Sequence, residues 1–404
     1  MKIMVINTGS SSIKYQIFAM HDRSVLASGL LEKIGEPESR LTHQMRVDGN
    51  HIDSIEKPLS TASHEDGFQV INTVLSETGT LVNMDELAGI GHRVVHGGEA
   101  FHQPTLITAE VIHTIRALIP LAPLHNPANL SGIEVALAAA PKVPQVAIFD
   151  TAFHQTLPAH AYHYALPRVL YEKHAIRRYG FHGTSHFYVA KQAARLLRRP
   201  LEALNLITLH LGNGASATAV QGGASIDTSM GMTPLEGLIM GTRCGDLDPA
   251  IIFYLARETG RSFEDIDELL NKKSGLRGIC GVNDMREISR LAEAGDPHAQ
   301  LAIAMYVYRL RKYIGGYAAV LGRLDALVFT GGIGENAAPI RSAVCRGLAL
   351  FGIDIDEDKN KSSSRKAREI QDAKGSVQLL VIPTNEELEI AEQTKVLLEQ
   401  KKLL

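Results

Sequence analysis

The sequence is poor in the features that mark secreted, membrane-bound or nucleic-acid-binding proteins. Its 404 residues hold three cysteines, Cys244, Cys280 and Cys345. None sits in a CxxC or Cys/His finger spacing, which argues against a disulfide frame or a structural zinc and fits a reducing compartment. No apolar run approaches the roughly 18 residues of a spanning helix. The short apolar run between Lys2 and Asn7 is also too brief for a secretory signal. A cytoplasmic protein, neither exported nor anchored, is therefore expected. A net charge of −3 supplies no global field for nucleic acid or an anionic membrane, so any basic site must be local. The chain also lacks GxxxxGK[ST], GxSxG and HExxH, which speaks against a P-loop kinase, a serine hydrolase and a zinc protease.

What is present is a hydrophobic share of 45% with 21% charged residues, an ordinary globular composition in a chain long enough for two cores. Residues 3–17, IMVINTGSSSIKYQI, read as a strand, a turn of glycine and hydroxyls closed by Lys14, and a second alternating strand. In such a hairpin successive N–H groups, serine hydroxyls and a lysine can converge on phosphate oxygens. Residues 206–220, LITLHLGNGASATAV, repeat the design. Two cradles in one chain suggest one nucleotide held between two related halves.

Residues 24–56 continue as antiparallel strand with a type I′ turn at Asp48-Gly49. Helical spacing marks 65–80, 109–118, 248–260, 263–272 and a long apolar helix from about 298 to 322. Leu87–Val95 and Val143–Phe149 read as buried strands ending in His/Arg/Gly and Asp/Thr, where ligands gather in open α/β sheets. Residues 354–375, charged and serine-rich, read as a surface excursion. Thr384 with Glu387 matches a capping box at the start of the last helix, which leaves Glu386 free.

Several constellations can carry chemistry. TGGIGENA, residues 330–337, follows a strand and precedes Pro339, which is well placed in a helix's first turn. Three readings stay open for it: a dinucleotide fingerprint with Asp354 as ribose acid, a glycine loop packed against adenosine, or a structural turn. Arg93 in GHRVVHGG and Arg243 in GTRCGD are placed to fork onto carboxylate or phosphate, or else form surface ion pairs. Asp150 ends an apolar strand and can orient a metal, a water or an arginine, or cap a helix. His182 and His186 in FHGTSH have the spacing of a zinc pair without its glutamate, so His182 reads better as a neutral or charged donor to an anion.

Taken in order, NTGSSSIK, HRVVHGG, APLHNPANL, FDTAFHQ, RRYGFHGTSH, HLGNGAS, DTSMGMTPLEGLIMGTRCGD, FTGGIGEN and PTNEE resemble the acetate kinases, the acetokinase family of the acetate and sugar kinase, Hsp70 and actin superfamily. The resemblance covers nearly the whole chain. It implies an α/β fold with a duplicated ββββαβα-type core, nucleotide in a cleft between two lobes, and a homodimer. The expected lobes are residues 1–150 with 388–404 on the metal and substrate side, and 151–387 on the nucleotide side. The implied reaction is reversible, direct in-line transfer from ATP to acetate, giving acetyl phosphate and ADP with Mg²⁺, or with Mn²⁺ in its place. No nucleic acid or membrane partner is implied.

Carried over by motif, Asn7 and Glu386 would hold the metal, and Ser10, Ser12 and Lys14 would form the first phosphate turn. Arg93 and Arg243 would bind acetate and the moving phosphoryl, His182 would stabilise its charge, and Asp150 would orient their neighbours. His210, Asn213 and Gly214 would touch ATP phosphates, while Asp284, Met285 and Arg286 with Gly332, Ile333, Gly334, Glu335 and Asn336 would enclose adenosine. Val95, Leu124, Phe181 and Pro234 would line the acid's pocket. Related propionate kinases tend to carry alanine at the position of Val95. The extra methyl groups favour acetate over propionate, with a methylene worth only about 1–3 kcal/mol. Two departures stand out: Thr8 replaces a common cysteine or alanine, and Cys244 replaces a usual serine. A thiol beside Arg243 is expected to have a lowered pKa. The competing readings are a propionate kinase, a non-kinase ATP-binding switch of the actin and Hsp70 type, and a dinucleotide-dependent oxidoreductase.

Overall fold

The first sixty positions, where apolar and polar residues alternate in several stretches, form five antiparallel strands: β1 (Lys2–Gly9), β2 (Ser12–Ala19), β3 (Ser24–Glu32), β4 (Ser39–Arg46) and β5 (Ile52–Leu59). The computed structural model describes residues 1–46 and 52–404, so the turn expected at Asp48-Gly49 lies outside the described residues. Gly9 pairs with Ser12, which leaves Ser10 and Ser11 as the hairpin turn. Three further strands complete the sheet: β6 (Leu87–Val94), β7 (Thr105–Leu106) and β8 (Gln145–Phe149). Its order is β5-β4-β3-β2-β1-β6-β8-β7, with β6 parallel to β1 and β8 parallel to β6.

The middle strands are buried along nearly their whole length because helices cover both faces. On one face, helix His64–Glu77 and helix Asn126–Ala139 build a core from Ile6, Ile13, Phe68, Ile71, Ile90 and Ala136. On the other, helix Glu386–Gln400 contributes Ile390 and Leu398 to a core with Ile3, Val5 and Ile148.

The second sheet is built from β9 (Asn205–Leu211), β10 (Ala215–Gln221), β11 (Ala224–Thr228), β12 (Ala326–Thr330), β13 (Arg368–Glu369) and β14 (Gln378–Val381). It runs β11-β10-β9-β12-β14-β13, with β9 to β11 antiparallel, β12 parallel to β9 and β14 parallel to β12. The first sheet has the same order in β3-β2-β1-β6-β8, so the duplication extends beyond the two hairpins to the whole central sheet. A dinucleotide fingerprint belongs to a mostly parallel sheet, and this mixed one removes that reading of Gly332 and Gly334.

Contacts divide the chain into two units, Met1–Ala152 with Asn385–Leu404, and Phe153–Thr384. The last helix after each core is exchanged. Helix Gly183–Leu197 follows β8 yet packs on β9 and β12, and helix Glu386–Gln400 follows β14 yet packs on β1 and β6. The second crossing falls before Asn385 rather than at 388, because Asn385 already belongs to that helix as its cap.

Two local expectations are corrected. The cap of the last helix is Asn385, whose side chain accepts from the Leu388 N–H at 3.0 Å, and not Thr384. Glu387 therefore has no box to close and pairs with Lys14, while the Thr384 hydroxyl bonds Ser185 at 2.8 Å. The segment 354–375 is also more than an excursion: β13 pairs with β14, and Asn360 is buried beneath Arg341.

Candidate active site

Parallel pairing in the first sheet brings three polar side chains to the carboxyl ends of adjacent strands. Ile6 pairs with His92 and Arg93 with Ile148, so Asn7, Arg93 and Asp150 follow one another at the same edge. The Arg93 Nε donates to both Asp150 carboxylate oxygens at 3.0 and 3.1 Å, and its Nη2 donates to Oδ2 at 2.7 Å. Asp150 is therefore an arginine partner, not the helix cap. Burial raises the Asp150 pKa against the pull of Arg93. Burial likewise opposes the Arg93 charge, but Asp150 and then Glu386 outweigh it and hold the guanidinium firmly protonated. Glu386, the first residue of its helix, has Oε2 3.7 Å from Arg93 Nη2. Asn7 sits opposite Lys14 across the hairpin, with Ser12 half-buried and Ser10 exposed at its tip. Lys14 is paired with Glu387, so in this state its ammonium is turned to the helix start.

The loop after Arg93 is held by residues to which sequence reasoning gave no role. From the first turn of helix Asn126–Ala139, Asn129 accepts from the Val95 N–H at 3.0 Å and donates to the Thr8 carbonyl at 2.9 Å. Asn126 accepts from the His96 N–H at 3.1 Å and donates to the His96 carbonyl at 3.0 Å. Asn129 ties the end of β1 to the end of β6, and Asn126 fixes the backbone at His96. Their signal was the pair of asparagines, spaced three apart, in APLHNPANL.

In the second unit, two side chains meet beside Gly214. A Cβ placed on that glycine would lie 3.5 Å from His182 Nε2 and 3.6 Å from Arg243 Nη1. Arg243 donates only to the Pro234 carbonyl at 3.3 Å and the Met240 sulfur at 3.7 Å, and it has no carboxylate partner among the described residues. Burial pulls its pKa down, as expected of a cation in want of an anion. His182 is not on a helix face with His186. It caps helix Gly183–Leu197 in the left-handed region at φ 56°, and both rings bond Ser216. Among the described residues no three His, Cys, Asp or Glu side chains gather in one group. His210 stacks on His182 with ring centroids 4.3 Å apart and pairs through Nδ1 with Ser185 at 2.8 Å. Asn213 accepts from Asn283 at 3.0 Å.

The glycine run is itself a short helix, Gly331–Asn336, followed by helix Ala338–Cys345 with Pro339 in its first turn. Gly332 is exposed and Ile333 half-buried, while Glu335 turns inward to accept from the Gly331 N–H at 2.9 Å and the Thr384 N–H at 3.2 Å. Asn336 donates back to the Gly332 carbonyl at 2.9 Å. Asp284 caps helix Met285–Glu293, with Met285 buried and Arg286 exposed and bonded to Asp284.

The acetokinase family profile matches residues 2–392 of the chain. The chain belongs to that family. An acetate kinase of Syntrophobacter fumaroxidans is 56% identical over 395 residues, covering 98% of this chain and 96% of that protein. The crystal structure of Porphyromonas gingivalis acetate kinase superposes with a TM-score of 0.93 at 44% identity, over 98% of this chain and 99% of that one. A propionate kinase from Francisella tularensis superposes at 0.91 with 46% identity, over 98% and 99%. These matches fix the fold as the two-lobed α/β architecture of the acetate and sugar kinase, Hsp70 and actin superfamily.

Within the family frame, one sequence expectation is overturned. Burial pushes the Cys244 thiol up to about 11, against a weaker pull from Arg309, and its Sγ donates to the Gly245 carbonyl at 3.1 Å. Adjacency in sequence to Arg243 does not bring the guanidinium to the sulfur. Of the four residues expected around the acid, Phe181 is buried, Val95 and Pro234 are half-buried, and Leu124 is 62% exposed.

Proposed function

We propose that the protein is a small-carboxylate kinase that transfers the γ-phosphoryl of ATP to acetate, giving acetyl phosphate and ADP, reversibly. The observation that carries this is the half-buried Arg243 guanidinium without a carboxylate among the described residues, converging with His182 Nε2 beside Gly214. A cation partly withdrawn from water without a carboxylate partner is favoured when an anion completes it, and a phosphoryl group is such an anion. Arg93, locked by Asp150, presents its remaining donors to the acid or the phosphoryl. A carboxylate is already nucleophilic and needs no strong base. Its oxygen bonds to phosphorus as the bond to the β,γ-bridging oxygen breaks, and that electron pair leaves with ADP. The protein's part is alignment and charge neutralisation.

His210, Asn213 and Gly214 are assigned to the ATP phosphates, with Ser10, Ser12 and Lys14 forming the other phosphate turn. The Asp284–Arg286 and Gly332–Asn336 runs are assigned to adenosine. Asn7 and Glu386 offer an amide oxygen and a carboxylate at adjoining element ends of the first unit. Such hard donors, few in number, suit Mg²⁺ or Mn²⁺, which keeps waters and phosphate oxygens in its shell. When bound, the ion neutralises phosphate oxygens.

Val95, Leu124, Phe181 and Pro234 are assigned to the acid, with acetate preferred. The Francisella tularensis neighbour keeps propionate as the second reading. We further infer a homodimer in the cytoplasm. Leu301, Met305 and Tyr308 follow at helical spacing and are exposed on Pro297–Leu321, which suits a surface covered by a second copy.

Hydroxamate formation from acetate, ATP, Mg²⁺ and hydroxylamine is the test. Arg93→Ala or Arg243→Ala is expected to lose at least about 100-fold in turnover. Full turnover in both variants would remove the assignment. Rates across acetate, propionate and butyrate decide the acid, and faster propionate would favour the second reading.

A further inference from the structure

We infer that Thr208, His186 and Ser216 form a one-way hydrogen-bond chain that fixes His182 as the Nε2–H tautomer, so that His182 meets its anion as a neutral donor. The catalytic consequence rests on the phosphoryl role proposed for His182. The tautomer is a property of the second unit alone.

The chain starts at Thr208 on β9, which is fully buried. Its hydroxyl lies 2.7 Å from His186 Nδ1 and has no other hydrogen-bond partner among the described residues. A buried hydroxyl proton without an acceptor is costly, so Thr208 donates to Nδ1. His186 is fully buried, and burial drives its pKa well below the ordinary histidine value, with His154 and His210 adding to the effect. A neutral imidazole carries one N–H, and with Nδ1 accepting, that proton is on Nε2. Nε2 lies 2.7 Å from Ser216 Oγ, which accepts it. Ser216, also fully buried, has one remaining hydrogen-bond partner, His182 Nδ1 at 2.9 Å, and its own proton goes there. His182 Nδ1 is therefore bare, and Nε2 carries the hydrogen. Nε2 is the atom that faces Gly214 together with Arg243 Nη1.

The reverse direction fails at the far end, because Thr208 would accept from Nδ1–H and leave its own proton without an acceptor. A charged His182 fails at the near end, since a proton on Nδ1 would oppose the one that Ser216 donates. The chain thus lets His182 act as a donor without contributing a positive charge, leaving charge neutralisation to Arg243 and the metal. Thr208, His186 and Ser216 are positioning residues that act through His182.

Long-range ¹H–¹⁵N spectra of the ¹⁵N-histidine-labelled full chain read the tautomer directly, with the His182 signals identified by their loss in His182→Gln. The expected wild-type pattern is a protonated Nε2 and an unprotonated Nδ1. Thr208→Val, which keeps shape and removes only the donor, is expected to give a mixed His182 tautomer and a fall in kcat of about 10-fold, the size of a donor partly misprotonated. KM for ATP should change by less than about 2-fold, since binding keeps its other contacts. Thr208→Ser is expected to restore both readings. Ser216→Ala should act like Thr208→Val, and either variant suffices if the other fails to fold. An Nδ1–H or doubly protonated His182 in the wild type overturns the inference, as does an unchanged tautomer in Thr208→Val. A tautomer that changes while kcat does not upholds the chain and removes His182 from the phosphoryl role instead.

Discussion

Gly275 holds a left-handed φ of +62° directly behind the loop that carries Arg243, and a Cβ there would overlap the Met240 carbonyl oxygen. The Leu276 and Arg277 N–H groups donate to the Met240 and Gly241 carbonyls at 2.9 Å, so the start of helix Gly275–Cys280 is the floor on which Arg243 stands. Gly275→Ala is expected to cost about 1–2 kcal/mol from the backbone alone and to shift Arg243. A displacement near 1 Å at a reacting group is worth up to about 100-fold in rate. Steady-state assays and a thermal melt check this, and a variant with wild-type kcat/KM would show that the loop does not depend on that floor. At this scale the sequence was informative where a side chain's chemistry is unusual for its place. Arg93, Asp150, His182 and Arg243 each stood at a strand end or between glycines. Asn129, Ser216 and Thr208 did not stand out, because small polar residues in apolar strands and helices look like ordinary packing until their partners, tens of residues away, are known.

Elements were legible when their signal was local. The helical spacing at 65–80 and 263–272 became His64–Glu77 and Phe263–Lys272. Their capping boxes close with Asp66 and Asp265, shorter than the usual Glu or Gln, and so escaped the pattern. The reverse error occurred at the last helix, where Thr384 and Glu387 fitted the pattern and Asn385 did the capping. Asn385 has a further role, because it fixes the helix start that presents Glu386 and Glu387. Asn385→Ala is expected to cost about 1 kcal/mol of stability. The apparent affinity for Mg²⁺ should fall roughly 5-fold, the same energy expressed as an equilibrium. A magnesium titration of turnover at saturating ATP measures it. An unchanged midpoint would show that the helix start is held by packing of Ile390 and Leu388 rather than by its cap.

Across the whole molecule, the duplication was visible only in the hairpins, because β12 and β14 are short strands, buried throughout or in all but the first residue, without alternation. Buried neutral imidazoles are likewise a property of the assembled cores, and they set a common acid limit. In the first unit His92 bonds Gln145 at 2.7 Å, and burial lowers its pKa to about 4. In the second, His154 bonds Ser225 at 2.8 Å and the Phe181 carbonyl at 3.0 Å, and burial again lowers its pKa to about 4. Unfolded, each would bind a proton near pH 6.5. Between that pH and about 4 the unfolded chain therefore holds more protons than the native one, and stability rises with pH across this window. It is fully present above pH 6.5 and lost by about 2 kcal/mol per imidazole on descending to pH 5. Asp150 and Asp227, raised by burial, act in the opposite sense but against the neutralising pull of their arginines. Urea unfolding at pH 7.5 and pH 5 is expected to show a clear loss in midpoint for both units, since each carries such a histidine. A midpoint that stays constant would mean that the native state opens to protonate these rings, and the burial that holds them neutral would have to be given up.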